Sequence, residues 1–552
     1  MLNKYKYFAG CVIFMLGYLC GYGQPRLVFH MDKSFYVTGE VIWFNVFLPP
    51  HLNEETLLTV FIYNESGSQQ DAFSIYSGNG TNIPGYYRIP YEWNSGYYRF
   101  VLVGSEKQSA EPYELLTQSI PIYNDLKEPP PNPPIEVAER VGDPLESLER
   151  CDVKLSVLQE NIVPGDSVII QFQVLDEGGQ PMQANASVSV VDSELTGPGV
   201  ARTILPGKTF PGEDFFLYGR PVLKGALFSK DGTPYLTNFL GAFDTETCDF
   251  YYDITYDLNY FTLSLPRVYR NVALQFLDFY EEELDIQLLA LPSPGPWTGP
   301  NLPYSPQVKE YLQRSAQRKK IYKLFKTTEI PLSFQSFEVN KKTLEPDRRF
   351  ILDDYESFSD LPSLFFEIST PLKFKSLKEG GYEAQMFNPE FGSRTFYAGK
   401  PLFIVDKKMT RNDQFIAELD IELIDTLDLF YYFKGLEENF GILGYNGVIQ
   451  IQTQGKGVSL PPEDPFYAFQ QPGLQVPLNT YENSPIDEEH PGLTPQQYWN
   501  AEVRTDPNGV GKIGFIQGKD LSTFKVEILV KAQNGTFGFA KSFYQVVPKS
   551  SP

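Results

Sequence analysis

The stretch Asp32-Lys33-Ser34-Phe35-Tyr36-Val37-Thr38-Gly39-Glu40-Val41-Ile42-Trp43-Phe44 decides how this chain is read. A β-rich run from Arg26 leads into it, and the run from Val41 to Leu48 follows the turn at Thr38-Gly39-Glu40. Gly39 supplies the residue type that takes positive φ without steric penalty, and the aromatic and β-branched side chains beyond it favour an extended, pleated backbone. A strand, a tight turn and a second strand are therefore expected. Further short strands at Leu57 to Tyr63, Gly85 to Ile89, Tyr97 to Val103 and Leu116 to Tyr123 complete a β-sandwich over residues 24–124. The same pattern returns at Ile162-Val163-Pro164-Gly165-Asp166-Ser167-Val168-Ile169-Ile170-Gln171-Phe172, and Ala186 to Asp192 then begins with strict alternation. Such a repeat points to tandem sandwiches.

Composition agrees. The 552 residues are too many for one hydrophobic core, and 43 Gly with 44 Pro interrupt the chain too often for long helices. The net charge of -23 opposes binding to phosphate backbones and anionic headgroups, so nucleic acid is not an expected partner. Three histidines, His30, His51 and His490, lie far apart and the chain has only four cysteines, which gives no basis for a zinc site. No cofactor, metal or catalytic residue is expected.

Lys4 and Lys6 precede an apolar stretch from Phe8 to Cys20 that is too short to span a bilayer, and small residues Gly21 and Gly23 suit cleavage before Gln24. Residues 1–23 read as a signal peptide, and the protein as exported to the periplasm or outer membrane, with the cell surface also open. Removal of that segment leaves Cys151 and Cys248 in an oxidising compartment, where spacing alone does not say whether they bridge.

Beyond the first sandwich, Pro129 to Pro134 mark a semi-rigid linker over 125–150. A second sandwich is expected over 151–217 and a third β-rich block over 218–300, with a hairpin at Lys230-Asp231-Gly232. Within 301–349, helical spacing of Val308, Tyr311, Leu312, Ser315, Lys319 and Tyr322 predicts a helix over 306–326, its basic side chains Arg314, Arg318, Lys319 and Lys320 read as a solvated face. Residues 350–456 mix helical and strand patterns, 457–493 form a Pro-rich connection, and 494–552 return to sandwich strands.

The opening motif, through Asp32, Tyr36, Gly39, Glu40 and Trp43, resembles the start of the second macroglobulin domain in the Trp-bearing variant of exported Bacteroidota proteins. Ala186 to Asp192 resembles a strand of another macroglobulin domain, and Tyr498-Trp499 to Phe515 resembles strands of α2-macroglobulin-type sandwiches. Gly399 to Asp406, followed by Gly441-Ile442-Leu443-Gly444-Tyr445-Asn446-Gly447-Val448-Ile449-Gln450-Ile451-Gln452-Thr453, is similar to the two ends of the plug domain of TonB-dependent receptors. Lys407 departs from the glycine usual after that aspartate, so that turn need not be copied. The resemblance implies a mainly β fold of tandem macroglobulin/Ig-like β-sandwiches with a small α/β plug-like domain. It singles out Asp32, Tyr36, Gly39, Glu40, Trp43, Asp406, Asn446 and Gly447 as motif positions.

The family's trap chemistry needs a Cys-x-Glu-Gln thioester, but Cys151 precedes Asp152-Val153-Lys154 and Cys248 precedes Asp249-Phe250-Tyr251. Only about 100 residues follow Thr453, while a receptor barrel of 22 strands of about ten residues needs over 200. A plug-like domain without its pore is therefore expected. Asp32 and Glu40 are expected to accept hydrogen bonds from the adjacent turn rather than hold calcium, and no histidine is expected in a hydrolase triad. These implications favour a non-enzymatic adaptor of the outer-membrane envelope, peripheral to the membrane and partnered with an outer-membrane β-barrel protein or its complex. A glycan- or peptide-binding accessory for nutrient uptake, using exposed Tyr and Trp, is the alternative.

Overall fold

A computed structural model describes residues 26–549 apart from internal stretches, the longest being 128–147, 194–202, 210–216, 328–343, 459–467 and 483–490. The signal segment 1–23, the linker prolines Pro129 to Pro134, Cys248, His51 and His490 lie outside the described residues. The fold is mainly β, as expected, and the chain forms two units. One comprises residues 1–219, 291–335 and 475–552; the other comprises 220–290 and 336–474.

The first unit holds two sandwiches. In the N-terminal one, a sheet ordered Ile204–Thr209, Arg26–Met31, Val41–Phe47, Asn82–Arg88 faces a sheet ordered Tyr36–Val37, Pro112–Tyr123, Gly96–Ser105, Leu57–Tyr63, Gln69–Tyr76. Val41–Phe47 is buried at every position. Ile42, Phe44 and Val46 point into the sandwich core with Phe29, Leu58 and Phe100. On the opposite face, Val41 and Trp43 pack with Tyr86, Tyr481 and Trp499, and Phe47 packs with Val28, Leu529 and Phe537. The period-2 alternation of a strand thus serves two cores at once.

Of these, Tyr481, Trp499, Leu529 and Phe537 belong to the second sandwich. Its smaller sheet runs Val510–Ile516, Ser167–Leu175, Asp152–Val157, and its larger sheet runs Thr480–Glu482, Gln496–Arg504, Ala184–Asp192, Thr523–Ala532, Phe537–Gln545. Ala184–Asp192 is the central strand, paired on one side with Gln496–Arg504 and on the other with Thr523–Ala532. The blocks expected separately over 151–217 and 494–552 are therefore one sandwich. Ile204–Thr209 leaves it altogether, pairing with Arg26–Met31 of the N-terminal sandwich. Alternation tells a strand which face to bury, but its edge neighbours are chosen by long-range pairing that a local pattern does not encode.

The internal repeat is chemical as well as visual. In the first copy Glu40 N donates to Val37 O at 3.0 Å and Val37 N donates to Glu40 Oε2 at 3.0 Å. In the second, Asp166 N donates to Val163 O at 3.1 Å and Val163 N donates to Asp166 Oδ2 at 3.0 Å. Gly39 at φ 88° and Gly165 at φ 91° occupy the same left-handed position, the one that a type II turn requires.

In the second unit, the strands Val222–Ser229, Tyr260–Ser264 and Leu284–Leu288 form one sheet. Leu240–Asp244, Phe250–Asp253, Val272–Asp278 and Ala468–Gln471 form another, with Leu227, Leu263 and Phe276 in the core they share. The Pro-rich connection therefore contributes a strand to this block and another, Thr480–Glu482, to the second sandwich. A mixed sheet follows, ordered Arg348–Ile351, Ile424–Phe430, Val448–Thr453, Leu402–Val405, Lys408–Thr410, with short helices Leu361–Glu367, Asp413–Ala417 and Phe433–Phe440. Val448–Thr453 runs parallel to Leu402–Val405 and antiparallel to Ile424–Phe430. Gln275 joins the two blocks, donating to Met409 O and accepting from Met409 N at 2.8 Å each.

Between the two sandwiches of the first unit lie His30 and Glu527, with Nε2 and Oε1 3.6 Å apart. Burial pushes the Glu527 carboxyl up, but Lys525, His30 and Thr203 outweigh it and hold it down to about 2. Burial also lowers the His30 imidazole below its ordinary value. Both depressed values make the folded state bind fewer protons than the unfolded chain, so stability falls as pH drops below 6.5 for His30 and from 4.5 toward 2 for Glu527. The Asp32 carboxyl, raised to about 6 by burial, has the opposite sign and stabilises the fold as pH falls through 6 toward 3.8. Urea titrations across pH should accordingly show a loss of roughly 3 kcal/mol between pH 4.5 and 2 that Glu527→Gln removes.

Candidate functional site

Two groups of motif residues were singled out by the sequence, and each is assembled in the structure. Gly39 sits in the turn that brings Glu40 back over the preceding strand, and a Cβ there would meet the Tyr91 ring at 2.2 Å. Asp32 Oδ1 accepts from the Tyr36 hydroxyl at 2.5 Å and from Trp43 N at 2.9 Å. Glu40 Oε2 accepts from Lys33 Nζ at 2.7 Å, and its Oε1 accepts from the Tyr311 hydroxyl. The Arg318 guanidinium lies 3.6 Å from the same Oε1. Burial pushes the Glu40 carboxyl up, but Lys33 and Arg318, with hydrogen bonds from Lys33 and Tyr311, reverse this and leave it below the usual carboxylate range.

Tyr311 and Arg318 come from the predicted helix, which spans Pro306–Leu324 and is capped by the Ser305 side chain accepting from Val308 N. Its buried residues are Val308, Tyr311, Ser315, Arg318 and Tyr322, a stripe at alternating spacings of three and four. Arg318 is thus part of the packed face, not of a solvated one, and Lys319 also turns inward, donating to Thr38 O at 2.6 Å and pairing with Asp125. Arg314, by contrast, is an exposed partner of Glu310. A mean composition that looks polar hides this, because two basic residues on a packed face are explained only by the acids opposite them. Lys33, Tyr311 and Arg318 were the members of the cluster missed in the sequence; the signal available was the place of Arg318 in the helical stripe. Glu40 accepts from the turn at Val37 N, whereas Asp32 reaches past the turn to Trp43 N in the strand Val41–Phe47; among the described residues no group of three His, Cys, Asp or Glu side chains is placed to hold a metal.

Trp43 lies outside this polar cluster. Its ring stacks on Tyr481 at 5.5 Å and tilts against Tyr86 at 5.7 Å, filling the seam between the sandwiches. In the same seam His30 Nδ1 is 2.5 Å from Ser187 Oγ and its other nitrogen faces Glu527. Ser, His and Glu in this order are the contacts of a hydrolase triad. Ser187 and His30 are both 0% exposed, so no scissile bond reaches Oγ, and the constellation joins two sheets.

The second motif group closes the mixed sheet. Asp406 and Lys407 occupy the two central positions of the hairpin between Leu402–Val405 and Lys408–Thr410, at φ 45° and 70°. This is the left-handed pair that a two-residue hairpin needs, formed here with lysine where glycine is usual. A tight two-residue hairpin thus forms here with lysine at its second position. Asp406 holds it by accepting from Thr453 N at 2.8 Å and from the Thr453 hydroxyl at 2.5 Å. Gly447 is at φ 95°, and a Cβ there would meet Met386 Cγ at 2.5 Å. Asn446 does not share the positive φ; its side-chain oxygen accepts from Gly399 N at 3.3 Å. Cys151 is a free thiol, half-buried and raised by that burial.

Glu40→Gln should cost about 3 kcal/mol in urea unfolding, since it removes the buried carboxylate that faces both Lys33 and Arg318. Lys407→Gly should raise the stability of the second unit by about 0.5–1 kcal/mol, by relieving left-handed strain, while Gly447→Val should unfold it at lower urea. Asn446→Ala should change its midpoint far less than Gly447→Val does.

No family model matches this chain, and no curated protein matches it. Among solved structures it is similar to the native conformation of Escherichia coli alpha-2-macroglobulin, with a TM-score of 0.24 and 11% identity over 95% of this chain and 40% of that one. Trypsin-activated alpha-2-macroglobulin from Escherichia coli gives a TM-score of 0.23 and 9% identity over 95% of this chain and 42% of that one. Salmonella alpha-2-macroglobulin reacted with methylamine gives 0.23 and 9% over 96% and 40%. The chain thus spans about two fifths of the length of these proteins. Its fold class rests on the strand pairing described above.

Proposed function

We propose that this protein is a non-enzymatic structural adaptor of the bacterial outer-membrane envelope, whose macroglobulin-like sandwiches present a plug-like domain to an outer-membrane β-barrel protein or its complex. The course of the chain after the plug-like motif carries this reading. Val448–Thr453 is an interior strand of a self-contained five-stranded sheet, and the chain beyond it returns to sandwich strands at Ala468–Gln471, Thr480–Glu482 and Gln496–Arg504. A domain of this type without a barrel strand directly after it is held by its own neighbours or by a partner chain, and the adaptor reading takes the second.

A further feature supports the reading. The polar clusters at Glu40 and His30 are consumed in joining elements of the first unit, which leaves them no role in turnover. Native affinity purification after mild detergent extraction should recover the protein with a β-barrel membrane protein. Recovery in quantity as a free monomer, or a specific glycan-array hit that survives purification, would turn the assignment toward the nutrient-binding alternative.

A further inference from the structure

The plug-like sheet gathers aromatic residues at one of its ends. Leu402–Val405 and Val448–Thr453 are parallel and begin at that end, Arg348–Ile351 begins there too, and Ile424–Phe430, antiparallel to its neighbours, finishes there. The connecting segments consequently bring Tyr397, Tyr431, Tyr432, Phe433 and Tyr445 together. Tyr432 and Tyr445 are each 50% exposed and Phe433 36%. These three stand outside the core of the unit, and large exposed apolar clusters are the ordinary mark of an interaction surface.

The chemistry of the occupant follows from ring geometry and charge. Phe433 and Tyr445 meet edge-on at 89° with centroids 5.9 Å apart, Tyr397 and Tyr445 at 63°, and Tyr431 and Tyr432 at 33°. None of these pairs is coplanar, so they give no flat platform for a run of sugar rings. Carboxylates flank them. Exposed Asp347 accepts from Tyr431 N at 2.6 Å and Tyr432 N at 2.9 Å, which holds the chain reversal in place. Asp347 is placed there by geometry, and burial with the fields of Glu390, Tyr445 and Asp347 raises the Tyr397 hydroxyl to about 12. The nearby Arg348 guanidinium already lies over the Phe350 ring, 4.6 Å from its centroid.

We propose that this end of the sheet is a docking surface for an arginine-bearing segment of a partner protein. A planar guanidinium stacks on exposed ring faces at any tilt and pairs with a carboxylate at the same time, and the net charge of -23 attracts such a segment from a distance. The proposal rests on the adaptor reading for its partner, and it adds where and by what chemistry that partner is held.

The test titrates full-length protein by calorimetry with a short synthetic peptide carrying three arginines, and with the same peptide carrying glutamines. Saturable binding is expected for the first, at least tenfold weaker binding for the second, and at least a tenfold loss in Tyr432→Ser/Phe433→Ser/Tyr445→Ser with its melting temperature unchanged. Glu390→Gln, which leaves every ring in place, should weaken binding severalfold and serves if the triple variant does not fold. Equal binding by the wild type and the triple variant would reduce the effect to diffuse attraction and overturn the proposal. So would failure of the arginine peptide to bind, or saturation by an oligosaccharide that the triple variant abolishes. If peptide binding fails while a β-barrel protein still co-purifies, the surface is wrong and the adaptor stands; if the peptide binds and nothing co-purifies, the surface stands and the adaptor falls.

Discussion

A strand buried on both faces imposes the arrangement of the whole first unit. Val41–Phe47 has no solvent side, so every second residue must find a partner in another sandwich. That demand brings Trp43 against Tyr481 and draws Asn45 and Asn82 onto the Ala501 carbonyl, each at 3.0 Å. Separating the sandwiches would expose both tryptophans, Trp43 and Trp499, together with the rings around them. Sheets that bury both faces behave as the middle layer of a larger core, and their strands lose the polar half of the usual alternation.

Buried charge gives that apolar seam its register. Glu40 meets Lys33 from the segment before its turn and Arg318 from the helix, and Glu527 meets Lys525 on its own strand and faces His30 across the seam. A carboxylate sealed from water is tolerable only beside a cation and hydrogen-bond donors, so sliding either element by one residue would strand it. The Tyr322 hydroxyl extends the same helix to the Leu493 carbonyl, ahead of the strand Gln496–Arg504. One helix therefore touches both sandwiches, through polar contacts at each end.

In the second unit, backbone geometry shapes the mixed sheet. Its hairpin at Asp406 and Lys407 and its turn at Gly447 all lie at positive φ. The Asp406 carboxylate compensates the first by bonding to Thr453, the last residue of a neighbouring strand in the sheet. With that strand interior to the sheet, the sheet closes on itself, and Tyr432, Phe433 and Tyr445 are left exposed at one end.

Local chemistry was legible in the amino-acid sequence. The turns at Gly39 and Gly165, the strands around them, the helix from Pro306 and the strand Val448–Thr453 of the mixed sheet all follow from residue types a few positions apart, because sterics and periodicity act over that range. The repeat of turn and strand was legible too, while the acid that receives the second turn's backbone donor, Asp166, emerged only in the structure. Which strands share a sheet was not. Ala184–Asp192 takes its neighbours from some 300 residues away, and Ile204–Thr209 departs to another sandwich, since edge pairing depends on what the rest of the chain leaves open. The same holds for Arg318, which reads as a solvated base until Glu40 stands opposite, and for Ser187, His30 and Glu527, which meet only across a seam. Side-chain type fixed what each residue needed, and only the tertiary structure decided which distant partner supplied it, because burial and pairing are properties of the assembled layers.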